Sequence, residues 1–189
     1  MVDFKYKMVE LQSHNLKRLR ECWNKQVDGL DSDFAPYAER RVEQIVDLCD
    51  KSVFTGRSNC MWAVIGDDGN ECPCAIVELL DARGGKDPSF KFLNFSLEPR
   101  LVLDYKLEVG NADLARITTV LAFSFGRSLS VAAKSGVKKL KIFGRSDEMR
   151  DLFDNMITAL QPQQDIKAYR QGAWLVIESI RLGTTNEPS

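Results

Sequence analysis

The second half of this chain places the tightest limit on its fold, because strand patterns and helix patterns alternate there in a fixed order. Short apolar runs predict strands at Phe90–Phe95 and Leu140–Phe143. Apolar residues at three- and four-residue spacing predict a long helix over Asp113–Ser135 and a second over Asp147–Leu160. A hairpin over Ile166–Ile180 follows. Helices placed between strands in this way predict an α/β fold with a central sheet.

The first half adds a strand, two helices and a hairpin to this order. Phe4–Leu11 alternates in polarity as a strand does, and Ser13 is the predicted N-cap of the helix that follows. A second helix is predicted over Phe34–Cys49. Met61–Ile65 and Cys74–Leu80 flank an Asp/Gly/Asn cluster and therefore predict a β-hairpin. The predicted apolar stripe of the second helix comprises Phe34, Tyr37, Arg41, Ile45 and Leu48.

The composition is that of an ordinary globular protein, with 44% hydrophobic and 28% charged residues. At 189 residues we expect one domain over residues 1–183 and a disordered tail over 184–189. A net charge of −1 predicts neither nucleic-acid nor anionic-membrane binding. No apolar run approaches the roughly 20 residues that span a bilayer, and Met1–Leu11 lacks the apolar core of a signal peptide. We therefore expect a cytoplasmic protein.

The five cysteines predict neither a disulfide framework nor a metal site. Their number is odd, and most of them are widely separated. Cys72 and Cys74 form the only close pair, and with one histidine in the chain a zinc site would need four of the five thiols. We interpret Cys72 as the end of a turn and Cys74 as the start of a buried strand.

The complete order of elements, from Phe4 to Ile180, resembles the GNAT superfamily of N-acyltransferases. The turn Ser135–Leu140, the helix Asp147–Leu160 and the hairpin around Gly172 are the local features that carry the resemblance. It implies a mixed central sheet of about six to seven strands flanked by helices. It also implies an acyl-CoA donor, acetyl-CoA, and an amine as the acyl acceptor. The C-terminal strand of such folds often lies at a dimer edge, which leaves the oligomeric state open between a monomer and a homodimer.

The resemblance implies a position for the CoA pyrophosphate at the start of the long helix. The family binds this group with consecutive backbone N–H groups, and glycines let the backbone approach the phosphates. In this chain Gly110, Asn111 and Ala112 give a Gly-x-Ala sequence there. Lys106 lies one residue from the expected cation, and Arg116 begins a second register that lacks the glycines. The alternative is that Gly110 is a loop residue beside an N-cap.

The resemblance also implies an acid and a base, and only the base has a matching residue. Glu98 lies just after the predicted strand Phe90–Phe95, where the family places its general base. The alternative is a surface residue before Pro99, and Glu78 is a second candidate base. Phe153 occupies the position of the family's acidic tyrosine, and a phenyl ring has no proton to donate.

The missing groups support a second hypothesis, in which the chain is a catalytically inactive GNAT-like module that binds a protein partner. A partner surface would be formed by Trp23, Phe34, Tyr37 and Tyr105. A group of basic residues begins at the end of the long helix, and the alternatives are a contact for an acidic ligand or RNA and a solvated sheet edge. This group comprises Lys134, Lys138, Lys139, Lys141 and Arg145.

Overall fold

The computed structural model describes residues 6–30, 33–54, 59–66, 72–101, 111–144, 147–162 and 165–179. Gly110, Lys106 and Tyr105, and the predicted tail 184–189, lie outside the described residues. Within the described ranges, no helix is both long and apolar enough to cross a membrane.

Seven strands form one mixed sheet with the order β1-β2-β3-β4-β5-β7-β6. The β1–β2, β5–β7 and β6–β7 pairs are antiparallel, whereas β4–β5 is parallel and pairs only from Phe90↔Leu140 to Phe92↔Ile142. This architecture confirms the predicted α/β class and the predicted size of the sheet. The strands are β1 (Tyr6–Glu10), β2 (Asn59–Gly66), β3 (Pro73–Asp81), β4 (Phe90–Leu97), β5 (Lys139–Phe143), β6 (Ile166–Gln171) and β7 (Trp174–Ser179).

The helices that flank the sheet are α1 (Ser13–Val27), α2 (Ala35–Phe54), α3 (Asn111–Lys134) and α4 (Asp147–Leu160). A short helical stretch also begins at Pro99. The predicted N-cap of α1 is wrong by one residue. Gln12 holds that place with an extended backbone, and its N–H donates to Asn15 Oδ1 at 3.3 Å.

The chain divides into two compact units, of which the first comprises Met1–Glu78 and Asn94–Gly126. Its core is formed where α1 and α2 pack on strand residues, with Trp23 fully buried. The predicted stripe of α2 is largely wrong, because Tyr37 and Leu48 are 53% and 38% exposed. The buried face of α2 instead comprises Ala38, Val42, Ile45, Val46 and Cys49.

The second unit comprises Leu79–Leu93 and Arg127–Ser189. Its interior strand β5 buries Leu140 and Ile142 and exposes part of the residues between them, which is the alternation that the sequence predicts. Gly136 ends α3 with a positive φ of 72°, as its position after the last helical turn predicts. Gly172 turns the β6–β7 hairpin with a φ of 61°.

Candidate functional site

Glu98 is the predicted site residue that the structure describes in most detail. It follows β4 directly, and its backbone N–H donates to the Cys74 carbonyl oxygen at 2.9 Å. Only 5% of the residue is exposed, so the alternative of a surface residue before Pro99 is wrong. A carboxylate buried to this degree needs partners that replace its lost hydration.

Two side chains hold the Glu98 carboxylate, one on each oxygen. Arg116 Nη2 lies 3.0 Å from Oε1 and forms an ion pair with it. Gln26 Nε2 donates to Oε2 at 2.6 Å. The structure therefore brings together two of the predicted site residues, Glu98 and Arg116, and adds Gln26, which the sequence did not single out.

The side-chain amide of Gln26 makes two further contacts, one through its nitrogen and one through its oxygen. Its Nε2 lies 3.4 Å from Cys72 Sγ, and its Oε1 accepts from the Arg100 backbone N–H at 3.5 Å. Cys72 is bonded to Cys22, four residues before Gln26 on α1, in a disulfide. The expectation that the cysteines form no disulfide is therefore wrong for this pair, while Cys49, Cys60 and Cys74 are thiols.

The predicted phosphate site lies at the beginning of α3. Asn111 and Ala112 are its first two residues, and Arg116 lies in the next turn. The first backbone N–H groups of an α-helix have no acceptor within the helix, and they carry the positive end of its dipole. These amides suit an anionic group such as a pyrophosphate. Gly110 and Lys106, which complete the prediction, precede the described helix.

The second candidate base, Glu78, is buried within β3. Its residue exposure is 5%, and Asn94 Nδ2 of β4 donates to its Oε2. Burial raises the pKa of the nearby Cys49 thiol to about 12, with the Glu78 and Asp50 carboxylates adding to the effect. Glu78 is therefore a buried carboxylate in the interior of the first unit, close to the Asn94 amide and the Cys49 thiol.

The second unit contains Phe153, at the position of the family's acid, and Tyr169, a nearby phenol in sequence whose position does not match that of the acid. Phe153 is fully buried, with its ring edge against Gly144. Tyr169 donates its hydroxyl to Glu178 Oε1 at 2.9 Å, a bond that raises the pKa of the phenol. Tyr169 is thus bonded within the β6–β7 hairpin.

Within the basic group, Lys139 and Lys141 form ion pairs, whereas Lys134 and Lys138 are exposed. Lys139 and Lys141 contact the two Asp87 oxygens at 2.9 and 2.6 Å, and Lys139 also contacts Glu178 at 3.1 Å. The ammonium groups lower the pKa of Asp87 to about 2. Both lysines belong to β5, which lies between β4 and β7, so the predicted sheet edge is wrong.

One of the four aromatic residues predicted to form a partner surface, Trp23, is not at the surface. Trp23 is fully buried, and its Nε1 donates to the Pro73 carbonyl oxygen at 2.7 Å. It is therefore a core residue and not a surface contact. Tyr37 is exposed as predicted, Phe34 is half-buried and Tyr105 lies outside the described residues.

A cavity of about 370 Å³ lies elsewhere in the first unit, between β1, β2 and α1. Its walls include Lys7, Leu11, Arg18, Ala63 and Pro73, and neither Glu98 nor Arg116 lines it. The residues that the structure describes hold no group of three or more His, Cys, Asp or Glu side chains that could bind a metal ion.

No family model matches this sequence, and no curated protein matches it. Solved structures do. AtaTR bound with AcCoA is 8% identical, with 94% of this chain and 95% of that chain covered and a TM-score of 0.50. A mutant AtaT toxin bound to the C-terminus of the antitoxin AtaR is 9% identical, with coverages of 93% and 92% and a TM-score of 0.49. An acetyltransferase of the GNAT family from Staphylococcus aureus is 9% identical, with coverages of 94% and 100% and a TM-score of 0.42. At these identities the similarity is one of fold, and the fold is the GNAT fold that the order of elements predicted.

Proposed function

We propose that this chain is an N-acyltransferase that moves an acetyl group from acetyl-CoA to an amine, with Glu98 as the base. The observation that carries the proposal is the buried ion pair between Glu98, after β4, and Arg116, in the second turn of α3. A carboxylate can accept the proton of an attacking amine, and a cation beside a helix N-terminus can bind the phosphates of a cofactor.

The residues at the start of α3 fit the anionic part of acetyl-CoA. We infer that the amides of Gly110, Asn111 and Ala112 hold the pyrophosphate, with Lys106 and Arg116 as cations. Arg116 uses one Nη2 contact for Glu98, and a guanidinium has five N–H donors, so others remain for a phosphate. Acetyl-CoA supplies an activated thioester, and AtaTR, a structure with this fold, has AcCoA bound.

Glu98 can take a proton without giving up its two partners. A carboxylate has about four lone-pair sites, so it can accept a proton while it also accepts hydrogen bonds such as those from Arg116 and Gln26. Glu98 would accept the proton of the attacking amine directly or through one water. Phe153 provides no acid, and a well-placed acid or base is typically worth a factor of about 10²–10⁴ in rate. We therefore expect slow turnover, with the thiol leaving as a thiolate.

Calorimetric titration with acetyl-CoA tests the proposal, with free CoA as the ligand control. We expect a dissociation constant in the micromolar range, and we expect Arg116→Leu to weaken it about tenfold, or ~1.4 kcal/mol. Arg127→Leu is the matched control, because Arg127 is an exposed arginine further along α3 and should leave the affinity unchanged. Absence of binding in the wild-type protein would contradict the proposal.

A second function is favoured by the burial of Phe153 where the family has its acid. In this alternative the GNAT fold is kept as a catalytically inactive module that acts through a protein partner, with exposed Tyr37 as a contact. The titration separates the two functions, because the module needs no affinity for acetyl-CoA.

We further propose that residues 1–183 act as one domain, because β3 and β4 each pass through both compact units. We also propose a cytoplasmic location.

A further inference from the structure

We propose that the Cys22–Cys72 disulfide is a reversible redox switch that acts on Glu98 through Gln26. The proposal rests on the function proposed above, because it assigns a regulation to the same carboxylate. It begins with a contact chain within the first unit: the disulfide touches Gln26, Gln26 touches Glu98, and Glu98 touches Arg116.

The disulfide lies close to Gln26 for a simple geometric reason. Cys22 and Gln26 are four residues apart on α1, so their side chains lie on the same face of the helix. The disulfide brings Cys72 to that face from the segment before β3, 50 residues away in sequence. Gln26 Nε2 then lies 3.4 Å from Cys72 Sγ on one side and 2.6 Å from Glu98 Oε2 on the other.

Gln26 can transmit a change at the sulfur because its amide has no spare group. One N–H is directed to Cys72, the other to Glu98, and Oε1 accepts from the Arg100 backbone at 3.5 Å. A primary amide has two N–H donors, and both are in use. A stronger acceptor at Cys72, or a sulfur that moves, therefore changes the hydrogen bond that Glu98 receives.

The switching step is a thiol–disulfide exchange with a dithiol reductant. A thiolate of the dithiol attacks Cys22 Sγ, which is half-buried, whereas Cys72 is only 7% exposed. The Cys22–Cys72 bond breaks, its electron pair leaves on Cys72 Sγ, and Gln26 Nε2–H can donate to the thiolate that results. The second thiol then attacks the mixed disulfide and releases Cys22. The dithiol ends as a disulfide, and the two protons it gives up end on Cys22 and Cys72.

Reduction should leave the fold intact because other contacts hold α1 beside the same segment. Trp23, next to Cys22, donates from Nε1 to the carbonyl oxygen of Pro73, next to Cys72, at 2.7 Å. Trp23 is also fully buried in the core of the first unit. The effect of reduction is therefore local to the sulfur atoms and Gln26.

The effect on the rate follows from the hydrogen bond to Glu98. A hydrogen bond to an ionised carboxylate stabilises that form and makes it a weaker base. Reduction leaves Cys72 as a thiol that is no longer tied to Cys22, so its sulfur can move relative to Gln26 and change the hydrogen bond that Glu98 receives. We therefore expect the acetyl-transfer rate to differ between the two redox states by up to about tenfold, the size associated with one hydrogen bond to a charged group.

The experiment compares the full chain in the oxidised form and after dithiothreitol, with thiols counted by alkylation in denaturant and mass spectrometry. We expect three thiols before reduction and five after it, since the chain has five cysteines and three are already thiols. The side-chain amide resonance of Gln26 in ¹⁵N-labelled protein should shift on reduction. The acetyl-transfer rate should change on reduction in the wild type and in Cys60→Ser, the matched control, whereas Gln26→Leu should form the disulfide and lose the rate response.

Two results would overturn the switch: a Gln26 amide resonance that is the same in both redox states, or a full rate response in Gln26→Leu. The resonance is read on wild-type protein, so it holds even if a variant fails to fold. It also separates this proposal from the proposed function. If acetyl-CoA binds in neither redox state, the acyltransferase fails, while the resonance still decides whether the disulfide controls Gln26.

Discussion

At the scale of single residues, the burial of Glu98 depends on the charges and donors around it. Removing a carboxylate from water costs several kcal/mol, and this cost is offset only if both oxygens find partners. Arg116 and Gln26 supply them at 3.0 and 2.6 Å. The Arg116 side chain is 36% exposed, so its ion pair is weaker than a fully buried one.

Arg116→Leu should therefore lower the free energy of unfolding by about 1–3 kcal/mol, because it leaves a buried carboxylate without its cation. Urea unfolding at neutral pH measures the change. Arg127→Leu on the same helix should stay within about 0.5 kcal/mol of the wild type. Equal losses in the two variants would show that the ion pair contributes nothing to stability.

Cys49 should resist alkylation in the folded protein. Burial raises the pKa of its thiol to about 12, so almost none of it is thiolate at pH 8. Cys60 is only half-buried and should react first. Iodoacetamide labelling at pH 8, with mass spectrometry of the peptides, should find Cys49 modified only after denaturant is added. Labelling of Cys49 at the rate of Cys60 would contradict the burial.

Gly144→Ala should destabilise the second unit, because a Cβ at this position would lie 2.7 Å from Phe153 Cε2. Phe153 is fully buried, so its ring has little room to move, and overpacking of this kind typically costs about 1–3 kcal/mol. Gly126→Ala is the control, since nothing lies within 4 Å of its added Cβ and alanine favours a helix. Urea midpoints that fall equally in both variants would show that the contact with Phe153 is unimportant.

At the scale of elements, the spacing of hydrophobic residues predicts which segments form helices or strands, but it does not always predict which face of a helix is buried. The strand and helix order of the second half was predictable because β5 alternates strictly and α4 repeats with helical period. The stripe of α2 was not, because two adjacent stripes both contain apolar residues. Tyr37 and Leu48 lie on the exposed stripe, and the packing of α1 selects the stripe of Val42 and Cys49.

The turn between β3 and β4 should be held to β5 in a pH-dependent way. The Lys139 and Lys141 ammonium groups lower the pKa of Asp87 to about 2, below its value of about 4 in an unfolded chain. A lowered carboxyl pKa contributes stability that is present above pH 4 and is lost as the pH falls through 2. The difference in melting temperature between wild type and Asp87→Asn should thus be much smaller at pH 2 than at pH 7 and should vanish below pH 2.

Salt gives the control for this prediction. Asp87 is 47% exposed, so 1 M NaCl should screen its contacts and reduce the difference at pH 7. A melting-temperature difference that is the same at pH 2 and pH 7 would exclude ionised Asp87 as the cause.

A site residue could be predicted from the sequence only where its position relative to a helix or strand was sufficient to identify it. Glu98 could be chosen because it follows a strand, and Arg116 because it belongs to the first turns of a helix. Their pairing was not predictable, and neither was Gln26, which is 72 residues from Glu98 in sequence. The disulfide was missed for the same reason. Its cysteines are 50 residues apart, and each fits its own element as a small apolar residue.

At the scale of the whole molecule, charge is nearly balanced, and local pairing decides what the surface can attract. The net charge is −1. Lys139 and Lys141 are the described lysines of β5, and Asp87 and Glu178 neutralise them within hydrogen-bond distance. A polyanion would have to displace these carboxylates before it could reach the ammonium groups, and a chain with little net charge offers no compensating long-range attraction.

The chain should therefore pass through a heparin column without retention at pH 7.4 and 0.15 M salt. The double variant Asp87→Asn and Glu178→Gln removes two negative charges and uncovers both lysines, so it should be retained more strongly than the wild type. Asp28→Asn combined with Glu39→Gln removes two exposed negative charges elsewhere and should elute earlier than that variant. If the two double variants elute together, net charge alone governs retention. Retention of the wild-type protein would mean that Asp87 and Glu178 leave the lysines accessible to a polyanion.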